Sequence, residues 1–182
     1  MANEIILENG MRVPRDDARG VFHRQIEWCG VPLELVLVGD PDDSNARDAL
    51  KYTADKLLAE PENWAAEMWM QLKRRLIPLL NARRDEDEEE IGDEDLDGLL
   101  FPIGLSVMHM GEVNLFKAED NLVMMTYGVK PEMDEHGIPG LGDGLADALE
   151  DDSDNDPEGG GMPTYAIGGT LEEGFFASDF FA

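Results

Sequence analysis

The chain has 182 residues and a formal net charge of -27. Residues 1–84 hold 14 acidic and 12 basic side chains, whereas residues 85–182 hold 27 acidic and only 2 basic ones. An excess of that sign repels nucleic acid and anionic membrane and attracts cationic surfaces, so composition excludes both of the former and points to a basic protein partner before it points to catalysis.

The single cysteine, Cys29, rules out an intramolecular disulfide and fits a reducing cytoplasm. The opening residues Met1-Ala2-Asn3-Glu4 lack the cationic and apolar regions of a leader. Apolar runs fall short of the roughly 18 residues that span a bilayer. A halophilic origin would spread acid over the whole chain, and the near-neutral first half speaks against it.

In chain order, Ile5, Ile6 and Leu7 form a short edge strand that turns at Asn9-Gly10. Residues 21–38 read as a hairpin. Phe22, Arg24, Ile26 and Trp28 alternate with His23, Gln25 and Glu27, Cys29-Gly30 turns the chain, and Leu33, Leu35 and Leu37 line the returning strand. After a break at Gly39–Asp43, Asp43 or Ser44 caps a helix over about 44–59 with Ala46, Ala49, Leu50, Thr53, Ala54, Leu57 and Leu58 as its stripe. Pro61 opens a second helix over about 61–82, striped by Trp64, Met68, Leu72, Leu76, Leu79 and Leu80, with Pro78 in its last turn.

Residues 83–98 are a charge run that reads as a solvated loop. Three strands follow, at 104–109, 113–118 and 122–129, as a meander. Glycine and proline crowd 131–144, which reads as loop, and residues 145–149 read as a helical turn. The expected organisation is a single α+β domain over 1–149, an acidic, Gly-rich linker over 150–169, and an acidic-aromatic tail over 170–182. Within the domain, two antiparallel helices pack on one face of a mostly antiparallel sheet.

Gly20–Leu33, with its Glu27-Trp28-Cys29-Gly30 turn, resembles the opening hairpin of a family of uncharacterised bacterial domains. Asn63-Trp64 and Leu79-Leu80-Asn81 match the two following helices of that family. The resemblance covers about residues 20–130 and implies an α+β fold. Where the family usually has Gly-His in the last strand, this chain has Tyr127-Gly128-Val129. Similar small domains occur beside bacterial toxins as candidate immunity proteins, which implies an immunity-like role.

Candidate chemistry is sparse. Asp93, Asp95 and Asp97 with Gly98 match the front half of a calcium loop, where oxygens at positions 1, 3 and 5 wrap a hard cation. Position twelve is Gly104, so the bidentate glutamate of such loops is missing. Asp152, Asp154 and Asp156 alternate in the same way but meet Pro157. His23, His109 and His136 have no spacing that makes a metal site; His23 and His109 are expected on the exposed sheet face, and His136 in a loop. Cys29 reads as a spectator thiol. Met108, Met110, Met124 and Met125 read as core filling. Lys73, Arg74, Arg75, Arg83 and Arg84 form the one basic patch, and the acidic run behind Arg84 is placed to neutralise it within the chain.

The partner-binding candidates are Asp85, Glu86, Asp87, Glu88, Glu89 and Glu90 in the acidic run, and Glu172, Glu173, Phe175, Phe176, Asp179, Phe180 and Phe181 in the tail. Charge would steer a basic partner, and the phenylalanine rings would supply burial. The expectation is a non-catalytic, cytoplasmic binding module without a cofactor. A calcium-responsive domain and an enzyme are the alternatives.

Overall fold

The computed structural model describes residues 3–82, 90–111, 121–129 and 164–171. Seven strands form a single sheet in chain order: β1 (Glu4–Ile6), β2 (Arg12–Asp16), β3 (Val21–Trp28), β4 (Val31–Val38), β5 (Leu100–His109), β6 (Asn121–Val129) and β7 (Thr164–Gly169). Every neighbouring pair is antiparallel except β4 and β5. That parallel pair requires a crossover, and the crossover carries all three described helices: α1 (Ser44–Ala59), α2 (Pro61–Asn81) and α3 (Asp93–Leu99). The fold is α+β, as the order of strands, helices and strands implies.

The hairpin forms where the sequence places it. Trp28 pairs with Val31 across the two-residue turn, and Cys29 and Gly30 take φ of 51° and 79°. Two positive φ values make the mirror-image turn whose twist matches that of the flanking strands. Glycine adopts this backbone freely, whereas Cys29 holds it against its own Cβ.

Helices cover one face of the sheet. Phe22, Ile26 and Trp28 on β3 are buried, as are Leu33, Leu35 and Leu37 on β4. Register carries this face on through Leu105 and Val107 to Val123, Met125 and Ile167. Ala46, Leu50, Ala54 and Leu57 of α1 and Met68, Leu72, Leu76 and Leu80 of α2 complete the core. Asp43 caps α1, its carboxylate accepting the Asn45 backbone N–H at 2.8 Å. Pro61 sits in the first turn of α2, where its missing N–H leaves no bond unmade. Leu79, expected in the buried stripe, is 49% exposed, and Gln71 takes a buried position instead. Leu80 already points at the sheet, and its chain neighbour lies about 100° around the helix.

Three expectations are corrected. Residues 93–99 are helix, not solvated loop: Asp95 accepts the Gly92 backbone N–H at 2.7 Å, and acids fill the first turn, where the helix dipole favours them. Ile91 and Leu96 are buried beneath this helix. Asn81 at the end of α2 bonds both backbone groups of Ile91, accepting its N–H at 2.8 Å and donating to its carbonyl at 3.1 Å. Secondly, β5 pairs directly with β6 from Leu100↔Val129 to His109↔Asn121, so no strand separates them. The expected strand 113–118 lies within residues 112–120, outside the described residues. Thirdly, residues 164–169, expected in the linker, form β7 against β6.

Candidate functional site

At one end of the sheet the β3–β4 turn, α2, α3, the start of β5 and the second half of β6 leave a cleft of about 310 Å³. Trp28, Cys29 and Val31 come from the turn, Ala65, Ala66 and Trp69 from α2, and Asp97 from α3. Leu100 and Pro102 of β5 and Met125 and Tyr127 of β6 close it. Sequence periodicity explains each wall. Trp28, Met125 and Tyr127 point to the helical face of their strands, and the small side chains of Ala65 and Ala66 on α2 leave the room that larger ones would fill.

The cleft is chiefly apolar. Trp69 tilts against Tyr127, with ring centroids 5.4 Å apart and planes at 42°. Trp69 donates its indole N–H to Asp97 at 2.7 Å. Lys73 closes the outer side, its Nζ lying 3.3 Å from Asp93, 3.4 Å from Asp97 and 5.6 Å from the Trp69 ring centre. Burial alone would lower the Lys73 ammonium, but the Asp93 and Asp97 carboxylates outweigh it and hold the pKa above its ordinary value. The charge of Lys73 is thus met within the chain, by Asp93 and Asp97 of α3. Beyond Trp69 a second groove of about 590 Å³ runs along Met70, Lys73, Arg74, Ile77 and Pro78 to Asp93.

Two walls of the cleft titrate upward. Burial raises the Tyr127 phenol far above its usual range. Burial, and then the nearby Glu62 carboxylate, raises the Cys29 thiol. Both shifts favour the protonated form at neutral pH. Trp28 has a buried indole N–H without a hydrogen-bond partner among the described residues.

Of the calcium candidates, Asp93 and Asp97 converge on the Lys73 ammonium, and Asp95 turns away from them. On a helix, Asp93 and Asp95 lie about 200° apart around the axis. Asp95 turns back to the Gly92 backbone, while Asp97 is held by Trp69 and Lys73. A calcium loop needs the chain to wrap its ion, and a helix does not wrap. Among the described residues no group of three or more His, Cys, Asp or Glu side chains is arranged for a metal ion.

His23 and His109 fall on opposite faces of the sheet. His109 Nδ1 lies 3.0 Å from Asn121 Oδ1 on the helical side, where Asn121 also donates to the Ala49 carbonyl and to Thr53 Oγ1, each at 2.8 Å. Since Asn121 Oδ1 only accepts, Nδ1 carries the proton. His23 alone is on the open face, as expected. Its Nε2 is 3.4 Å from Asp16, and its Nδ1 is 3.0 Å from Glu34. Arg19 donates to Glu34 at 2.6 Å, which lowers the Glu34 carboxyl, and the Arg19 backbone N–H does the same for Asp16. No nucleophile stands beside this group among the described residues.

Of the remaining candidates, Glu90 is exposed just before α3. Asp85, Glu86, Asp87, Glu88 and Glu89 lie outside the described residues, as do Arg83, Arg84, His136, the 131–149 segment and the Asp152–Asp156 alternation. Glu172, Glu173, Phe175, Phe176, Asp179, Phe180 and Phe181 lie outside them too. Met125 is core and cleft wall; Met108 and Met124 belong to the other face of the sheet. Sequence reasoning missed the cleft itself. Its one signal was the concentration of Trp28, Trp69 and Tyr127, whose convergence depends on the β4–β5 crossover.

A family profile described as an uncharacterized protein conserved in bacteria (DUF2262) matches residues 14–129. The chain belongs to that family. The match spans β3 through β6 and all three helices, and so includes every residue that lines the cleft. No curated protein and no solved structure matches the chain.

Proposed function

We propose that the domain is a non-catalytic protein-binding module that docks a basic protein partner in the cytoplasm, with neither nucleic acid nor membrane as its target. Neutralising a bacterial toxin in the manner of an immunity protein is one form; mimicry of nucleic-acid charge is the other. The observation that carries this reading is the pairing of an aromatic cleft with a carboxylate rim. Exposed Asp93, Glu94 and Asp97 stand on α3 beside Trp69, and Glu62 lies near Cys29 on the other lip. Charge on the rim steers a cationic surface into place, and burial in the cleft supplies the anchor.

Affinity capture from a bacterial lysate, followed by mass spectrometry, tests it. The retained protein should be basic. An Asp93→Asn, Glu94→Gln double variant should bind it about two- to tenfold more weakly, the range for two rim charges. Capture of acidic or neutral proteins alone, or indifference to the double variant, would count against a charge-steered module.

A further inference from the structure

Helix α2 carries two apolar stripes, and the core uses one of them. Met68, Leu72, Leu76 and Leu80 face the sheet and are buried. Met70 and Ile77, seven residues apart and so nearly in line along the axis, fall on a second stripe that follows the groove of about 590 Å³ beyond Trp69. Met70 is 37% exposed, and Pro78 is exposed as well. Of the two cations along this groove, Lys73 is shared between Asp93 and Asp97. Arg74 is exposed and has no ion pair among the described residues. The groove therefore offers apolar surface together with one uncommitted positive charge. It adjoins the cleft at Ala66 and Trp69, but Met70, Arg74, Ile77 and Pro78 line the groove alone.

We propose that the occupant of this groove is the chain's own C-terminal segment, Glu172–Ala182, which lays Phe175-Phe176 and Phe180-Phe181 on the apolar stripe and sets its carboxylates beside Arg74. Charge and position both select it. Glu172, Glu173 and Asp179 flank the two ring pairs, the complement of an apolar groove beside a cation. The acidic run Asp85–Glu90 carries charge for Arg74 but no apolar side chain to fill the groove. A basic partner would meet Arg74 as a like charge. β7 touches α2 and runs from Thr164, paired with Gly128 at the cleft end, to Gly169, paired with Val123. The chain thus leaves the sheet at the end toward which α2 runs from the cleft, and Leu171 packs against the core. Eleven residues follow Leu171 and reach at most about 36–40 Å, whereas α2, at 21 residues, is about 32 Å long. The two phenylalanine pairs stand five residues apart, a span of up to about 17 Å, and Ala66 and Pro78 at the ends of the groove are about 18 Å apart along the helix. Tethering also gives the segment an effective concentration in the millimolar range. Docking takes four rings out of water that would together form a large exposed apolar patch.

The test uses the full chain with labelled methionine and isoleucine methyls, and reads nuclear Overhauser effects from phenylalanine rings to the Met70 and Ile77 methyls. Both methyls should show them. Phe175→Ser, Phe176→Ser, Phe180→Ser and Phe181→Ser made together should abolish them, while an unchanged shift of the buried Met68 methyl reports an intact core. Arg74→Glu should lower the ratio of docked to free segment about two- to tenfold, the range for reversing one exposed charge contact, and so weaken the effects at both methyls. Absence of the effects in the native chain, their persistence in the fourfold variant, or indifference to Arg74→Glu would each overturn the proposal. So would two reassignments. Contacts to the Met125 methyl and the Tyr127 ring instead would place the segment in the cleft, and effects between labelled and unlabelled chains in a mixed sample would give the groove to a second copy. No partner protein enters the experiment, so its outcome is separate from that of the affinity capture.

Discussion

Single side chains set the polar tolerances of this core. Asn121 is the clearest case. Buried at the start of β6, it ties the sheet to α1 through Ala49 and Thr53 and fixes the His109 ring at the same time. Asn121→Ala removes three hydrogen bonds and strands their partners, so urea denaturation should show a loss of about 2–3 kcal/mol. Tyr127 makes a pH-dependent contribution. Its phenol stays protonated in the folded chain well above the pH at which an unfolded tyrosine ionises. The unfolded state therefore binds fewer protons as pH rises through about 10, and stability falls in that window. Below it the contribution is fully present. Thermal unfolding across the alkaline range should decline less steeply in Tyr127→Phe than in the native chain. These residues were not legible from the sequence, since a tyrosine or an asparagine on a strand shows its role only when register and a helix from elsewhere bury it. Cys29 was legible in part. Its place beside Gly30 announced the turn, and its raised thiol pKa follows from partial burial and the Glu62 carboxylate.

Elements were legible where one periodicity dominated. The alternation of Phe22, Ile26 and Trp28 with polar residues, and the stripe Leu50-Ala54-Leu57, each specify an element and its buried face. Two elements escaped for separate reasons. In α3 the density of acids reads as a loop, yet those acids cluster at the N-terminus, where the dipole stabilises them, and Leu96 and Ile91 hold the helix down. The burial of Leu96 outweighs the mutual repulsion of the acids. Leu96→Ala should accordingly cost about 2–5 kcal/mol, the range for emptying a filled core position. It should also move Asp97 away from the Trp69 indole, which NMR of the Trp69 Nε1–H resonance reports directly. The second element, β7, is six residues with glycine at both Gly168 and Gly169, and its strand character comes from β6 rather than from its own sequence. Gly168 also admits what a Cβ would crowd: such an atom would stand 3.4 Å from the Val123 carbonyl oxygen. Strand propensity counts for less than a partner with free hydrogen-bonding groups.

For the whole molecule, charge and crossover together determine what the domain presents. The parallel β4–β5 junction sends three helices over one face and brings α3 to the mouth of the cleft, which places Asp97, an acid of the second half, beside Trp69. Alternation and stripes specify the layers, but neither specifies which strand receives the chain after α3. Hence the α+β class was readable and the cleft was not. Among the described residues no helix is long and apolar enough to cross a membrane. The distribution of acid, near neutral before residue 85 and strongly negative after it, remains the feature that separates this chain from an ordinary globular domain.

Titration calorimetry of the chain against its captured basic partner, from about 0.01 M to about 1 M salt, tests that charge-steered docking most directly. The Debye length shrinks over this range from about 30 Å to about 3 Å, so long-range attraction is removed while apolar burial is kept. Affinity should fall steadily as salt rises and level off at the weaker contribution of the cleft. An affinity that stays constant across the range, or strengthens with salt, would contradict a module steered by its carboxylates.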